Sequence, residues 1–315
     1  MGYRKAEERK RADMFEAKII ADSIPRPWAH VPNTRLTTLE LTFPRFILAE
    51  FNTHRVFSRN SASSRAIPVE KRIAEVLRDP FIPEAFAANK RGMQAGDLLD
   101  AFDNETVRSV WLRGRDAMVA AAQFFVDYDV HKQWANRPLE LFAFHTVVVS
   151  SCYWDNWDAL RISSMAQPEI VTIAKMAYEA RKASTPRELS VGDWHLPYVQ
   201  DDERATRDFD KLVKVSTARC ARVSYLTQNN IRDHAEDIKL YERLAAPGHM
   251  SPFEHPARVG SWGPLAEGWP EDADIPRGVY NAEKLAGNFS PPWIQHRKEL
   301  PGEAVAKREE GYYEF

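Results

Sequence analysis

A change of hydrophobic period at Pro44 constrains the fold of this chain more than any other feature. Residues 37–43 (TTLELTF) alternate between apolar and polar types, which is typical of a half-buried strand with one apolar face: Leu39, Leu41 and Phe43. Proline suits the first turn of a helix, and apolar residues then recur at helical spacing: Phe46, Ile47 and Phe51. We therefore expect a strand that leads into a helix, with His54 and Arg55 near the end of that helix.

Further helices are predicted along the chain, together with one ambiguous element. Amphipathic patterns favour helices at 169–183 and 231–246, and several helical stretches lie within 69–127. The apolar run at 139–154 (LELFAFHTVVVSSCYW) has a β-branched centre. It fits either the end of a buried helix or a strand, and the pattern alone does not decide between them.

The two ends of the chain differ in composition. Residues 3–18 are charged and helix-prone, which favours a surface helix, and the proline-rich stretch 23–33 is typical of a connector. The segment 260–315 is rich in Gly, Pro and Trp, and we expect it to wrap the surface as a tail. Since no linker forces a division, we expect one domain over residues 1–315.

Bulk charge and cysteine content narrow the class of protein. The 315 residues carry a net charge of −2, so overall electrostatics give no reason to expect a nucleic acid or an anionic membrane as partner. Two cysteines permit no disulfide framework, which suits a reducing cytoplasm. No apolar run is long enough to span a bilayer, and the N-terminus lacks the apolar segment of a signal peptide. We therefore expect a cytoplasmic protein.

The segment 52–65 (NTHRVFSRNSASSR) combines small hydroxyl side chains with guanidinium groups. Arginine makes bidentate, charge-assisted bonds to phosphate, and serine donates a hydrogen bond with little bulk. Composition alone favours a solvated basic loop after a helix. A phosphate or nucleotide site is favoured instead by the resemblance of six positions to a family signature: His54, Arg55, Ser58, Asn60, Ser63 and Arg65.

A second segment, 248–255 (GHMSPFEH), has the pattern of a helix start. Ser251 and Glu254 are spaced as a capping box, and Pro252 suits the first helical position. Three potential metal ligands in this segment are not spaced to share one helix face, so we expect no metal site: His249, Glu254 and His255.

A third segment, 155–170 (DNWDALRISSMAQPEI), is typical of a helix, a turn and a second helix. Asn156 lies five residues before Arg161, and an Ala-Gln pair begins five residues after that arginine. Upstream, Arg137 lies in an Ala-Asn-Arg segment that precedes the long apolar run.

Together these three segments resemble the signatures of flavin-dependent thymidylate synthases. The family places a His-Arg pair and then Ser, Asn, Ser and Arg at the offsets found in 52–65. It has a GH-x-SPFEH segment similar to 248–255, and an Asn, Arg and Ala-Gln spacing similar to that of 155–167. The resemblance covers roughly residues 35–66, 130–182 and 220–258.

This resemblance implies roles for individual residues. Arg161 would contact the pyrimidine and stabilise charge that develops on its ring. The nucleotide and its phosphate would be held by five residues, of which the last stands where the family has a Gln: Ser63, Ser64, Arg65, Arg137 and Glu50. The flavin would be contacted by His54, Arg55, Asn156, Ser251, Glu254 and, as a weaker candidate, Ser224.

A fold and a reaction are implied as well. The expected fold is α/β (α+β), a twisted and largely antiparallel sheet flanked by helices, in a homotetramer whose sites draw on more than one subunit. FAD would be the cofactor and NADPH its reductant. Methylenetetrahydrofolate would supply a carbon to C5 of dUMP or a related pyrimidine nucleotide, giving dTMP. No nucleophilic cysteine is needed in this scheme.

Segment order and several residues depart from the family pattern. The SPFEH segment comes last here and first in the usual member, which a circular permutation would explain. Thr53 stands where the family has an arginine. We hypothesise that the tail around Gln295 and Arg297 folds back on the site and restores a lost polar and cationic contact. A surface strap held by its aromatic residues fits the tail equally well.

Three alternatives stay open at the level of sequence. The nearest is a sister flavoenzyme that transfers hydroxymethyl to C5 of dUMP, with water in place of hydride capturing the carbon unit. The second is a nucleotide-binding protein that has kept the pocket and lost catalysis. The third, a structural or interaction protein, leaves the three matched segments unexplained.

Overall fold

The computed structural model of the protein describes residues 14–27, 34–92, 94–223, 232–260 and 285–303, and their strands form two sheets. In chain order the strands are β1 (Glu16–Pro25), β2 (Leu36–Pro44), β3 (Ser58–Ser61), β4 (Phe144–Ser151), β5 (Arg187–Leu189), β6 (Trp194–His195), β7 (Ala257–Val259) and β8 (Trp293–Gln295). The larger sheet has the order β3-β4-β2-β1-β5, with β5 parallel to β1 and every other pair antiparallel. The smaller sheet, β6-β7-β8, is antiparallel.

Helices flank the larger sheet. In chain order they are α1 (Leu48–Asn52), α2 (Val69–Arg78), α3 (Ala101–Asp127), α4 (Lys132–Ala135), α5 (Asp155–Arg161), α6 (Pro168–Ala183), α7 (Asp201–Arg204), α8 (Phe209–Arg222), α9 (His234–Ala245) and α10 (His296–Glu299). Short 3-10 helices cover Arg45–Ile47, Arg137–Phe142 and Ser251–Glu254. The expected mixed α/β fold with a largely antiparallel sheet is confirmed. Among the described residues, no helix is both long and apolar enough to cross a bilayer.

One face of the larger sheet forms the main apolar core. The predicted strand at 37–43 is β2, which lies between β1 and β4. Its apolar face is fully buried, and it packs on α6 through three apolar side chains of that helix: Ile170, Ile173 and Ala174. Full burial of one such side chain contributes about 1.5–3 kcal/mol. This core fixes the strand-to-helix unit that carries the candidate site.

The opposite face of the sheet is also buried, and it carries a row of hydrogen-bonded polar side chains. His195 lies between Ser23 and Thr38, with its ring nitrogens 2.9 Å and 2.8 Å from their hydroxyl oxygens. The Thr38 hydroxyl is 2.5 Å from Ser150 Oγ, which is 2.8 Å from His255 Nδ1. These hydrogen bonds join the two sheets, because the residues belong to β1, β2, β4, β6 and the segment before β7.

Several expected boundaries were wrong. Residues 16–18 belong to β1, not to the end of an N-terminal helix, because the backbone from Glu16 pairs with β2; residues 3–13 lie outside the described part. The expected connector 23–33 begins inside β1, and 28–33 are not described. The β-branched centre of the ambiguous run lies in the strand β4, which pairs with strands on both sides, while residues 139–142 belong to a 3-10 helix.

The helix after Pro44 is shorter than expected. A 3-10 turn comes first, and α1 then ends at Asn52. His54 and Arg55 therefore lie in the turn that leads to β3, beyond the helix. The predicted helices at 169–183 and 231–246 are confirmed as α6 and α9.

Candidate active site

Arg161, at the last position of α5, is held against the segment that precedes β3. Its Nε donates a hydrogen bond to His54 Nε2 at 2.9 Å. Its Nη2 donates to Thr53 Oγ1 at 3.0 Å and to the Glu50 backbone carbonyl at 3.3 Å. Two of the three sequence-matched segments therefore meet at this guanidinium group, although Arg161 and His54 are 107 residues apart.

His54 is buried in an aromatic environment. Its ring stacks on Phe57 with a centroid distance of 5.7 Å and lies edge-on to Trp157 at 4.9 Å. Burial lowers the pKa of His54, and the charges of Arg161 and Arg59 lower it further. Because arginine can only donate, Nε2 of His54 accepts and the ring proton lies on Nδ1. The neutral imidazole thus fixes the direction of the Arg161 side chain.

Thr53 and Glu50 provide polar groups beside this contact. The Thr53 hydroxyl donates to the Glu50 carbonyl at 2.6 Å, so the threonine takes part in holding Arg161. Two buried polar atoms nearby have no hydrogen-bond partner among the described residues: Glu50 Oε2 and Trp157 Nε1. An unsatisfied buried acceptor and donor are costly unless a ligand or water completes them.

The segments 52–65 and 248–255 are joined through Asn60 of β3. Ser251 Oγ donates to Asn60 Oδ1 at 2.8 Å, and Asn60 Nδ2 donates to the backbone carbonyl of Cys220 in α8 at 3.1 Å. The expected capping box at Ser251 was wrong. Ser251 begins a four-residue 3-10 helix with no side-chain cap, and its hydroxyl points to Asn60.

The tail reaches both of these segments. Gln295 is buried, and its Nε2 donates to Ser58 Oγ at 3.2 Å and to the Glu254 backbone carbonyl at 3.0 Å. Arg297 forms an ion pair with the Glu254 carboxylate and a second with Glu303 at 2.9 Å. The chain thus folds back at Gln295 and Arg297. The Arg297 guanidinium pairs with Glu254, and no hydrogen bond or ion pair among the described residues links it to Thr53.

Two of the predicted phosphate ligands, Ser64 and Arg137, meet at Glu140. Ser64 Oγ donates to Glu140 Oε1 at 2.5 Å, and Arg137 Nη1 lies 3.0 Å from the same oxygen. Arg45 Nη2 lies 3.1 Å from it. Asn136 is fully buried and donates to the Ser64 carbonyl at 2.7 Å, which fixes the loop after β3.

The other predicted ligands differ in exposure. Ser63 is half-buried and accepts the backbone N–H of Arg65 at 3.3 Å. The Arg65, Arg55 and Asn156 side chains are exposed and make no hydrogen bond or ion pair within the described ranges. Ser224 lies outside the described residues.

Sequence analysis missed two residues that build this region: Glu140 and Arg45, which surround Ser64 and Arg137. Of the two tail residues named from the sequence, Gln295 is the one that bridges β3 to the 3-10 helix Ser251–Glu254. One signal was present: Glu140 follows Arg137 by three residues, a spacing at which helical side chains pair. Arg45 gave no such signal, because its partner is 95 residues away along the chain.

Other sites for chemistry are less favourable in the described part. Burial raises the pKa of the Cys152 thiol to about 12 and that of Cys220 well above its ordinary value, so neither is a nucleophile at neutral pH. No group of three potential ligand side chains in these ranges could hold a metal ion. A cavity of about 340 Å³ is lined by Phe15, Phe81 and Phe144 among others, and contains none of the predicted site residues.

Comparison with known proteins gave matches among solved structures alone: no family model and no curated protein matches the sequence. A UMP/dUMP methylase, PolB, from Streptomyces cacaoi bound with 5-Br UMP aligns over 54% of this chain and 94% of its own, at 14% identity and a TM-score of 0.39. The same methylase bound with 5-Br dUMP aligns over 47% and 66%, at 16% identity and a TM-score of 0.34. Flavin dependent thymidylate synthase ThyX from Helicobacter pylori, complexed with FAD and dUMP, aligns over 46% and 67%, at 18% identity and a TM-score of 0.34.

Proposed function

We propose that this chain is a flavin-dependent enzyme that transfers a one-carbon unit from methylenetetrahydrofolate to C5 of dUMP, giving dTMP. The observation that carries the proposal is the contact of Arg161 with His54 and Thr53. Two segments that resemble the same family meet there through a charged group. A solvated basic loop would not require a buried neutral histidine to orient a distant arginine.

Arg161 is the residue that we propose to act on the pyrimidine. Its Nε and Nη2 are committed to His54, Thr53 and Glu50, and Nη1 makes no hydrogen bond within the described part of the chain. A guanidinium fixed at two nitrogens presents the third in a defined direction. In the proposed role, this N–H donates to a pyrimidine carbonyl oxygen and stabilises negative charge that develops there. Because His54 already holds the Arg161 side chain, little conformational entropy is lost when this bond to the pyrimidine forms.

The residues present fit a flavin on the chemistry of their donors and acceptors. Arg55 follows His54 in the chain, Asn156 lies on the same helix as Arg161, and both side chains are exposed. Glu50 Oε2 and Trp157 Nε1 are buried atoms without partners in the described ranges. A flavin offers phosphates, ring carbonyls and an N–H to such groups. We propose that Arg55 and Asn156 bind the flavin directly. His54 would act indirectly, by holding Arg161 in place. Bound there, FAD reduced by NADPH would supply the hydride of the reaction.

Ser251 and Glu254 would have indirect roles in this scheme. Ser251 is bonded to Asn60, and Glu254 is paired with Arg297. We propose that both residues shape the flavin side of the site by fixing β3, with contacts to the flavin through groups that these bonds leave exposed. The proposed phosphate ligands are Ser63, Ser64, Arg65 and Arg137, which lie at the other end of β3.

Hydroxymethyl transfer is the second candidate function, and Thr53 favours it. The family's arginine at this position is replaced by a hydroxyl that is already bonded to Arg161 and to the Glu50 carbonyl. One cation is therefore missing beside the proposed flavin. Loss of a positive charge near a redox group changes its electronics, and with it the competition between hydride and water for the carbon unit.

Release of hydrogen from C5 tests the proposed class of reaction. dUMP carrying tritium at C5 is incubated anaerobically with the protein, FAD, NADPH and methylenetetrahydrofolate. We expect tritium release to solvent that requires all four additions. A purified protein that binds dUMP, holds no flavin and releases no tritium would instead support a nucleotide-binding protein without catalysis.

A further inference from the structure

One carboxylate oxygen, Oε1 of Glu140, collects donors from three separate parts of the chain. Ser64 comes from the loop after β3, Arg137 from the same 3-10 helix as Glu140, and Arg45 from the turn after β2. The three donor distances are 2.5, 3.0 and 3.1 Å. A hydroxyl and two guanidinium groups around one oxygen anion are also the donor set that a phosphate oxygen attracts.

The donors keep their places without help from Glu140. The Arg45 guanidinium is also fixed through Nη1, which lies 3.0 Å from Nδ1 of His145. Burial and the nearby charges of Arg45 and Arg72 lower the pKa of His145 to about 3, so its ring is neutral and accepts this bond. The Ser64 backbone is held by buried Asn136. Removing the Glu140 carboxylate would therefore leave an anion site that is already formed.

Glu140 has a path to solvent, but its buried donors require another anion when it leaves. Its side chain is 25% exposed on a short 3-10 helix, and its pair with the half-exposed Arg137 is weak because water screens it. Ser64 and Arg45 are mostly buried, so leaving them without an anion would be costly. A ligand phosphate supplies that anion, with up to two charges and several acceptor oxygens for the same donors.

We propose that Glu140 is the internal counter-anion of the phosphate subsite, and that the phosphate of a nucleoside monophosphate displaces it from Ser64, Arg137 and Arg45. The proposal rests on the proposed function, because it takes the phosphate ligands from that scheme. It assigns Glu140 a role in specificity: a nucleotide must offer a phosphate to displace the carboxylate, and a nucleoside cannot.

Matched ligands and variants test the exchange at Glu140. Affinities for dUMP, deoxyuridine and inorganic phosphate are measured by calorimetry at low salt on the full-length protein and on Glu140→Gln. Glutamine keeps the shape and an acceptor oxygen but removes the competing charge. We expect Glu140→Gln to bind dUMP and inorganic phosphate about tenfold more tightly, with deoxyuridine unchanged. Glu75→Gln is the control, because Glu75 pairs with Arg72 at 3.2 Å and contacts none of the three donors.

Each outcome bears on the inference separately from the proposed function. Unchanged or weaker binding of dUMP and inorganic phosphate by Glu140→Gln would overturn the inference, and Glu140 would then only stabilise the loop. An equal gain for deoxyuridine would also overturn it, because the effect would not act through phosphate. If inorganic phosphate gains and dUMP does not bind either protein, the exchange at Glu140 stands and the proposed substrate is wrong.

Discussion

Arg161 and His54 show how a single residue contact can carry the proposed chemistry. Neither residue is exceptional alone, since a buried histidine and a partly exposed arginine are common in proteins. Their bond fixes the imidazole as an acceptor and two of the three guanidinium nitrogens as donors. The roles of the pair follow from this geometry, which brings together residues that are far apart in the sequence.

Arg161→Lys should impair catalysis much more than stability. An ammonium group cannot reproduce the planar fork that reaches His54 and Thr53 together. We expect tritium release from C5 to fall about 100-fold to 1,000-fold, with a loss of about 1–2 kcal/mol in the free energy of unfolding. Arg187→Lys is the control, since Arg187 forms an exposed ion pair with Asp201 far from these contacts. Equal activity in Arg161→Lys and wild type would remove Arg161 from the mechanism.

Gly287 is required by the packing of Gln295. Its φ is +62°, and a Cβ at this position would overlap Oε1 of Gln295. We expect Gly287→Ala to push Gln295 away from Ser58 and Glu254 and to lower the free energy of unfolding by about 1–3 kcal/mol. Gly192→Ala is a matched control, because its φ is +87° with no atom near the added Cβ. Urea unfolding that shows equal losses in both variants would argue against a role for Gln295.

Single residues of the site were predictable to different degrees. Six positions of 52–65 and the spacing around Arg161 were readable because local offsets carry the pattern. Glu140 as a partner of Arg45 and Ser64 was not readable, because that contact depends on the pairing of β2, β3 and β4. The tail contact through Arg297 was anticipated in outline, but its partner, Glu254, emerged only from the fold.

At the scale of secondary-structure elements, a helix or strand was predicted correctly where its own hydrophobic periodicity defines it. β2, α6 and α9 have clear alternation or a clear apolar stripe, and all three were predicted. β4 was ambiguous because both of its faces are buried, which removes the polar alternation. Val147 and Val149 lie in the main core, and Val148 packs on the other face against Cys220 and Val223. The segment Glu16–Pro25 was misjudged as partly helical because charged residues at its start hide its alternation, and only pairing with β2 defines it.

Three buried histidines predict a loss of stability in weak acid: His195 and His255, which bond across the polar side of the sheet, and His296 at the start of α10. Burial lowers the pKa of His255 to about 3 and that of His296 to about 4, and it lowers the pKa of His195 well below its ordinary value of 6.5. Their unfolded forms take up protons as the pH falls below about 6.5, and their folded forms do not. The unfolded state is therefore favoured increasingly in acid, by up to about 1.4 kcal/mol per pH unit for each such histidine.

Urea unfolding between pH 7.5 and pH 5 measures this effect. We expect the free energy of unfolding to be steady above pH 7 and to fall steeply below about pH 6.5. His296→Gln should show a shallower fall, because one of these histidines is then absent. A stability that does not change from pH 7.5 to pH 5 would contradict the neutral, buried state of these rings.

At the scale of the whole molecule, the surface of α3 bears on the expected homotetramer. Ala122 is the one fully buried residue of this 27-residue helix. Large apolar side chains on it are exposed, with 79% of Phe102, 51% of Val110 and 55% of Phe124 accessible. Exposed apolar side chains repeated along one long helix are typical of a surface that meets another subunit.

Light scattering on the purified protein tests the assembly. We expect the mass of an oligomer for the wild type and a smaller species for Phe124→Glu, because a charge would be buried at the contact. Exposed Glu105→Gln, on the same helix, is the control for effects of surface charge. A monomer at micromolar concentration in the wild type would contradict the shared-site homotetramer.

The general architecture of the molecule was predicted more fully than the order of its parts. A mixed α/β fold with a largely antiparallel sheet was expected and is present. Circular permutation remains a prediction, because it rests only on the late position of the SPFEH segment in the chain. Division into one domain over residues 1–315 also remains a prediction.

The mass of the nucleotide product tests the central claim most directly. dUMP is incubated anaerobically with the flavin-loaded protein, NADPH and methylenetetrahydrofolate, and the products are resolved by mass spectrometry. The account predicts a nucleotide methylated at C5, dTMP, whose formation is lost in Arg161→Lys. A hydroxymethylated nucleotide would transfer the assignment to the second candidate and point to Thr53 as its cause. Unchanged dUMP, recovered with a protein that holds FAD and binds the nucleotide, would contradict the proposed reaction.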